Sequence, residues 1–321
     1  MTHEQGGRPT VSVILPAYNV ERYIDRSIKS VQEQSLSDIE ILIVDDGSSD
    51  GTRESILRLA EGDTRIRPIF HSVNQGVSAA RNSAIAAATG KWVAMVDPDD
   101  WIAPDRLETL VTLADDKKAD AVGDNQVFVD PEDDQEFGQL FRDGQSGVWQ
   151  LSAAEFIAND LPEMIGFGVL KLLIRKSFLD QHDLKYRTDV ARGEDCLFYC
   201  ECFSNGAKIF LTADPFYFYR VNREGSATNL TLGMPGIRSV AQVHEIAKEI
   251  FSDVQDPRLH KALAVRGQLI DECLQYRNVV TPLKNRQFFT ALSRVLSKPT
   301  YIPPVARRIM NAAWARYQKT S

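Results

Sequence analysis

The residues of this chain best equipped for chemistry are acids gathered where apolar runs end. In "WVAMVDPDDW" Asp97 and Asp99 stand two apart on a segment that reads as extended, so their side chains leave the same face. Pro98 fixes its own backbone and keeps Asp97 out of the helical region. Carboxylates held side by side repel, and a hard divalent cation such as Mg2+ or Mn2+ relieves that repulsion while completing its shell with substrate phosphate oxygens. A second run, "IEILIVDDGSSDGT", ends on Asp45 and Asp46. Asp46 could accept from a pyrimidine imide N–H or a ribose hydroxyl. The first run closes on "PAYN", which offers the ring of Tyr18 to a base and the amide of Asn19. Neither a G-x-G-x-x-G turn nor a G-x-x-x-x-G-K-[ST] loop follows it, so phosphate is not cradled by bare backbone there. The set describes a nucleoside pocket built from side chains.

Such a pocket needs a scaffold that brings strand ends together. The first 125 residues alternate strand and helix signals, the pattern of a mostly parallel sheet covered by helices, in which ligands bind beyond the carboxyl ends of the strands. In "ERYIDRSIKSVQEQS" Ile24, Ile28 and Val31 fall on one helical face. "NQGVSAARNSAIAAATG" reads as an Ala-rich helix capped by Gly90, and Pro104 is placed to open the next helix. The acidic, turn-rich segment 130–147 is predicted to be a long surface loop, and it is placed with the surroundings of Phe167 as the determinant of substrate choice. Beyond it come a helix at "SAAEFIAND", the mostly buried stretch "GFGVLKLLIRKSFL", a helix starting near "GEDCLF", an aromatic strand "FYFYRV", and a helical remainder.

Taken together, "VSVILPAYNVERYI", "ILIVDDGSSDGT", "NQGVSAARNSAIAAATGKWVAMVDPDDW" and "GEDCLF" resemble the inverting family 2 glycosyltransferases of GT-A fold, over about residues 10–228. The resemblance implies a catalytic domain over 10–228, with a nucleotide-sugar half at 10–125 and an acceptor and base half at 126–228, followed by a basic helical extension at 229–321. It implies transfer of a sugar, with inversion, from a nucleotide donor, usually a UDP-sugar, to a hydroxyl of a polysaccharide or lipid-linked oligosaccharide, in exopolysaccharide, capsule or lipopolysaccharide assembly. By the same resemblance Pro16, Tyr18 and Asp46 would contact the uridine. Arg81 of "ARN" would lie near base or phosphates, Asp97 would meet ribose or a metal-bound water, and Asp99 would hold Mg2+ or Mn2+. Asp195 matches the catalytic base, and Arg220 and Ser226 of "YRVNREGSAT" would help bind diphosphate. A carboxylate in the first turn of a helix, where Asp195 falls, is biased toward ionisation by the helix dipole. The competing reading, from the class of binding modules, is a catalytically silent nucleotide-sugar-binding partner of a glycan-assembly complex.

Charge narrows the partners. The overall net charge is -7, yet no acid follows Glu272 while nine lysines and arginines do, which leaves -16 on the preceding part. An acidic body argues against nucleic acid, whereas the basic segment 284–321 could rest on an anionic membrane surface. Within it Ile309, Met310, Ala313, Trp314 and Tyr317 fall on one helical arc, suited either to burial or to an interface. No secretory signal and no run of 18 apolar residues is visible, and Cys196, Cys200, Cys202 and Cys273 lack the spacing of a metal site or disulfide framework. A cytoplasmic protein, peripheral at the inner face of the membrane, is the expectation. His182 and His244 stand without partners at ligand spacing and receive no role.

Overall fold

A computed structural model describes residues 7–141, 145–162, 165–221 and 234–297. Ser226 and the arc at 309–317 lie outside the described residues. Strands β1 (Val11–Ala17), β2 (Ile39–Asp45) and β3 (Ile66–Phe70) alternate with helices α1 (Ile24–Gln32), α2 (Thr52–Gly62) and α3 (Val77–Ala87). β4 (Trp92–Met95) and the short β5 (Trp101–Ile102) flank the acidic turn, and α4 (Arg106–Lys117) leads to β6 (Ala121–Val129). β7 (Glu136–Gln139), β8 (Val148–Leu151), α5 (Ala153–Ala158), β9 (Leu173–Arg175), α6 (Lys176–Gln181), α7 (Glu194–Ser204) and β10 (Ile209–Arg220) follow. α8 (Met234–Ile250), α9 (Pro257–Lys284) and α10 (Phe288–Ser297) end the described chain.

One mixed sheet runs in the order β3-β2-β1-β4-β9-β6-β10-β5, with β7 added on β6 and β8 on β10. The parallel ladders carry the long registers, β1 on β2 and β4, β2 on β3, and β6 on β10, while every antiparallel contact comes from the short strands β5, β7, β8 and β9. The α/β architecture with a mostly parallel sheet thus matches the sequence expectation.

Side-chain alternation divides the strands between two cores, as expected for a sheet covered on both faces. Val11, Val13 and Leu15 of β1 join Ile41 and Ile43 of β2 and the Ile24, Ile28 and Val31 stripe of α1 on one side. Ile14, Leu42 and Val44 join Ala80 and Ala84 of α3 and the α7 and α8 residues on the other. The predicted helical face of α1 is fully buried.

Three local expectations are corrected. α3 ends at Ala87 with Ala88 as its cap, so Gly90 is not the C-terminal cap. Close approach explains it instead: a Cβ there would lie 2.6 Å from the Ser12 amide nitrogen, and the Gly90 N–H donates to Ser12 Oγ at 2.8 Å. Pro104 precedes α4, which takes Asp105 as its N-cap. Segment 130–147 is not all loop, because β7 pairs antiparallel with β6, and Leu140 and Phe141 are buried. Asn125 of β6 fixes that return by donating to Gln139 Oε1 and accepting from the Phe141 N–H.

Candidate active site

Because β1, β2 and β4 run parallel, their carboxyl ends share one edge, and the residues just past them meet there. Tyr18 is 46% exposed on the β1 turn, whose Asn19 adopts φ 51°. Asn tolerates that left-handed conformation better than most residues. The Asn19 Oδ1 accepts from the Ser49 N–H at 2.9 Å and the Asn19 N–H donates to Ser48 Oγ at 3.0 Å, so the first two strand-end turns are laced together. Asp46, after β2, is buried and fully engaged. Its carboxylate accepts from the Gln75 and Gly76 N–H groups, at 3.0 and 2.8 Å, and lies 2.6 Å from His71 Nδ1. His71 in turn reaches Ser83 Oγ on α3 at 3.0 Å.

The 97–100 turn after β4 is held from across the sheet. The Asp97 N–H donates to Tyr217 Oη at 3.0 Å, and Tyr217 donates to Asp100 Oδ2 at 2.8 Å. The Arg220 N–H donates to Asp100 Oδ1, and its Nε donates to the Asp99 carbonyl at 3.0 Å. Burial pushes the Asp100 carboxyl well above its usual range, and the charges of Asp99 and Asp97 add to the rise. Arg220 also pairs with Asp134 at 2.5 Å, so it braces the turn from behind and is not in the cleft wall.

Asp195 arrives from the far half of the chain. Gly193, at φ 74°, turns the backbone into α7 and sets Glu194 and Asp195 in its first turn. Arg81 of α3, 2% exposed, reaches Asp97 at 3.2 Å, Glu194 at 2.8 Å and Asp195 at 2.9 Å. Lys171, 3% exposed, reaches Asp195 Oδ2 at 2.9 Å and Asp97 Oδ2 at 3.1 Å. Three carboxylates therefore surround two buried cations. Burial alone would raise the Asp97 carboxyl, but Lys171 and Arg81 outweigh it and lower it to about 2. Burial alone would likewise lower Lys171 and Arg81, and the facing Asp195 and Asp97 reverse that and keep both well above their ordinary values. Asp195 Oδ1 is buried without a hydrogen bond among the described residues, and so is Nε of Arg81.

A cleft of about 630 Å³ joins these parts, large enough for a small-molecule ligand. Pro16, Tyr18, Asp46, Arg81, Asp97, Asp99 and Asp195 all line it. Sequence reading had no role for Lys171, although a single lysine inside the apolar "GVLKLLI" is a visible anomaly. His71 was missed too, although it follows the third parallel strand as Asp46 follows the second. The far wall comes from α8 (Ile237, Val240, Val243) and from residues within 160–162 and 165–169. Arg266 of α9 clamps the first of these stretches, donating to the Asp160 carbonyl at 2.7 Å and its Oδ2 at 2.8 Å. Phe167 is 3% exposed and packs on Phe141, while its neighbours Gly166 and Gly168 face the cleft. No described residue of 130–147 lines the cleft.

The residue types suit a hard cation, since Asp97 and Asp99 both line the cleft. Both oxygens of Asp97 already face cations, Arg81 on Oδ1 and Lys171 on Oδ2. Among the described residues no group of three His, Cys, Asp or Glu side chains is placed to hold a metal ion, so diphosphate and water would have to complete the shell.

The profile described as "Glycosyl transferase family 2" matches residues 12–179, more than half of the chain. The chain belongs to this glycosyltransferase family. Over 95% of its length it is 27% identical to the succinoglycan biosynthesis protein ExoO of Rhizobium meliloti, of which it covers 87%. It spans 62% and 61% of the length of two Bacillus subtilis glycosyltransferases that are 31% identical to it. Among solved structures it is similar to S. aureus TarS 1–349 in complex with UDP-GlcNAc, with TM-score 0.61 and 20% identity, covering 91% of this chain and 92% of that one. It is also similar to the mannosyltransferase PcManGT of Pyrobaculum calidifontis in complex with GDP-Man and Mn2+, with TM-score 0.62 and 20% identity, covering 98% and 82%. These likenesses establish the GT-A fold for this glycosyltransferase.

Proposed function

We propose that this glycosyltransferase moves a sugar, with inversion, from a nucleoside-diphosphate donor of the UDP-hexose type to a hydroxyl of a polysaccharide or lipid-linked oligosaccharide in exopolysaccharide biosynthesis. The observation that carries the reading is that Asp99 and Asp195, 96 positions apart in sequence, line one cleft. The nucleoside would lie against Pro16, Tyr18 and Asp46, and its diphosphate near Asp97, Asp99 and Arg81. TarS, solved with UDP-GlcNAc, and ExoO, named for succinoglycan, supply the donor and pathway classes by similarity. The second half of the chain, with the helices that follow it, would receive the acceptor along the α8 wall.

Asp195 takes the proton of the acceptor hydroxyl as that oxygen attacks the anomeric carbon. The bond from this carbon to the diphosphate oxygen breaks in the same displacement, and the electron pair leaves with the nucleoside diphosphate. A divalent cation held at Asp99 with donor phosphate oxygens would supply the charge neutralisation that this leaving group requires. One base and one displacement give inversion.

A donor panel incubated with soluble and lipid-linked acceptors, read by mass spectrometry and by the anomeric configuration of the product, tests the reading. Expected is a product of inverted configuration, with turnover cut to a small residual rate by Asp195→Asn and donor binding preserved. Donor binding without turnover on any acceptor would instead favour the silent binding partner.

We also propose a membrane contact. α10 exposes Phe288, Phe289, Leu292 and Leu296, and the chain beyond Glu272 carries only basic charge. An apolar stripe beside basic residues suits an anionic interface. No described helix is long and apolar enough to cross a membrane. Co-sedimentation with phosphatidylglycerol vesicles, lost on neutral vesicles and in Phe288→Ser/Phe289→Ser, is the expected result; equal sedimentation with both refutes it.

A further inference from the structure

We propose that Lys171 is a positioning residue for the transfer step: its buried ammonium grips Asp195 Oδ2 and thereby fixes the orientation of the carboxylate. The inference rests on Asp195 being the base. Lys171 Nζ sits 2.9 Å from Asp195 Oδ2 with hydrogen-bond geometry. Arg81 touches the same carboxylate less evenly, with Nη1 2.9 Å from Oδ1 but in no directed hydrogen bond and Nη2 donating to Oδ2 at 3.4 Å, so the lysine makes the shorter of the two hydrogen bonds on Oδ2. The same ammonium contacts Asp97, which ties the donor arm of the cleft to the base.

The lysine is itself anchored at its backbone. Its carbonyl accepts from Arg106 Nη2 at 2.6 Å, and Arg106 is locked in a buried two-point pair with Asp124 at 2.9 and 2.8 Å. The preceding carbonyl, of Leu170, accepts from Tyr199 Oη at 2.5 Å. Tyr199 stands one helical turn beyond Asp195 on α7, so the helix that carries the base and the segment that orients it are fastened to each other. Without the ammonium, Arg81 Nη2, which stands 3.4 Å from Oδ2, is free to close on it and complete a symmetric fork, the arrangement arginine prefers with a carboxylate. The carboxylate would then be turned toward the arginine and lose the orientation that the lysine gives it.

A neutralising role for Lys171 would leave the orientation of the base indifferent, and a double-mutant cycle separates the two. Lys171→Met is expected to lower kcat about a hundredfold, the usual cost of a reacting group misplaced by about 1 Å, with the donor Kd held within about threefold. In an Asp195→Asn background, where turnover is already reduced, the same change is expected to cost less than about threefold more. Lys171→Arg retains the buried charge and hence the fold, and it is expected to lose at least about tenfold in kcat because a planar fork does not reproduce a single contact to Oδ2. A kcat for Lys171→Arg within about threefold of wild type overturns the proposal, as does an equal loss on Lys171→Met in both backgrounds. Full activity of Asp195→Asn would instead overturn the assignment of the base.

Discussion

Replacing Arg81 with methionine tests the electrostatics on which the site depends. The guanidinium is buried, and it stands between Asp97, Glu194 and Asp195 at 2.8–3.2 Å. Removing one partner from a buried ion pair typically costs about 3–5 kcal/mol, because the opposite charge is left uncompensated. At pH 7 the variant should therefore be less stable by that amount. The gap must also depend on pH. In the wild type the folded Asp97 carboxyl is lowered to about 2 from an ordinary 3.8. A depressed folded value contributes stability above 3.8 that is lost as pH falls toward 2, and here it is worth roughly 2 kcal/mol. In the variant three carboxylates face one ammonium, and crowded like charges favour protonation, so the sign reverses: the folded state takes up protons more readily than the unfolded chain and gains stability as pH falls. Urea unfolding of both proteins at pH 7, 6 and 5, followed by tryptophan fluorescence, should show the gap shrinking toward the acid end. A gap that stays constant across that range, or one below about 1 kcal/mol at pH 7, would refute the account of the cluster.

Other expectations follow from single contacts. Gly90→Ala would place a methyl 2.6 Å from the Ser12 nitrogen and 2.7 Å from its Oγ, and should destabilise by about 1–3 kcal/mol, seen as a lower urea midpoint at unchanged slope. His71→Leu removes a hydrogen bond to the Asp46 carboxylate and should weaken UDP binding about tenfold by calorimetry while kcat changes little; an unchanged Kd would detach His71 from the nucleoside pocket. Chelation with EDTA should suppress turnover, Mn2+ or Mg2+ should restore it, and Asp99→Asn should raise the metal concentration needed for half-maximal rate. Equal metal dependence in wild type and variant would place the cation elsewhere.

Much of this was legible in the residues alone, for a physical reason. The period-2 and period-3.6 patterns of the first 125 residues are strong because both faces of the sheet are covered, and parallel strands put Tyr18, Asp46 and Asp97 on one edge without further information. Contacts between distant segments were not legible. Nothing local says that Arg81 meets Glu194, 113 positions on, or that Tyr217 shapes the turn at Asp97, 120 positions earlier. Lys171 was hidden by its surroundings: an apolar run reads as core whether or not one charged head is buried among carboxylates. Segment 130–147 misled because its acids and glycines carry turn signals, while the pairing of β7 is decided by β6 and by the buried Leu140 and Phe141. Arg220, which the resemblance of "YRVNREGSAT" places near the diphosphate, has contacts no local pattern announces, with the Asp99 and Pro131 carbonyls and with Asp134.

The link from β10 to the acidic turn bears on how these proteins can be recombined. Residues 12–179 hold the family-matched stretch, but Tyr217 and Arg220, which finish the 97–100 turn, and Asp195, which faces it, all come later in the chain. A chimera that grafts only the matched stretch from a relative inherits a donor arm whose braces belong to another lineage. Grafts that carry a relative's β10 with its β4 turn should keep the donor arm in shape, and newly synthesised chain cannot complete that turn until about residue 220 has left the ribosome.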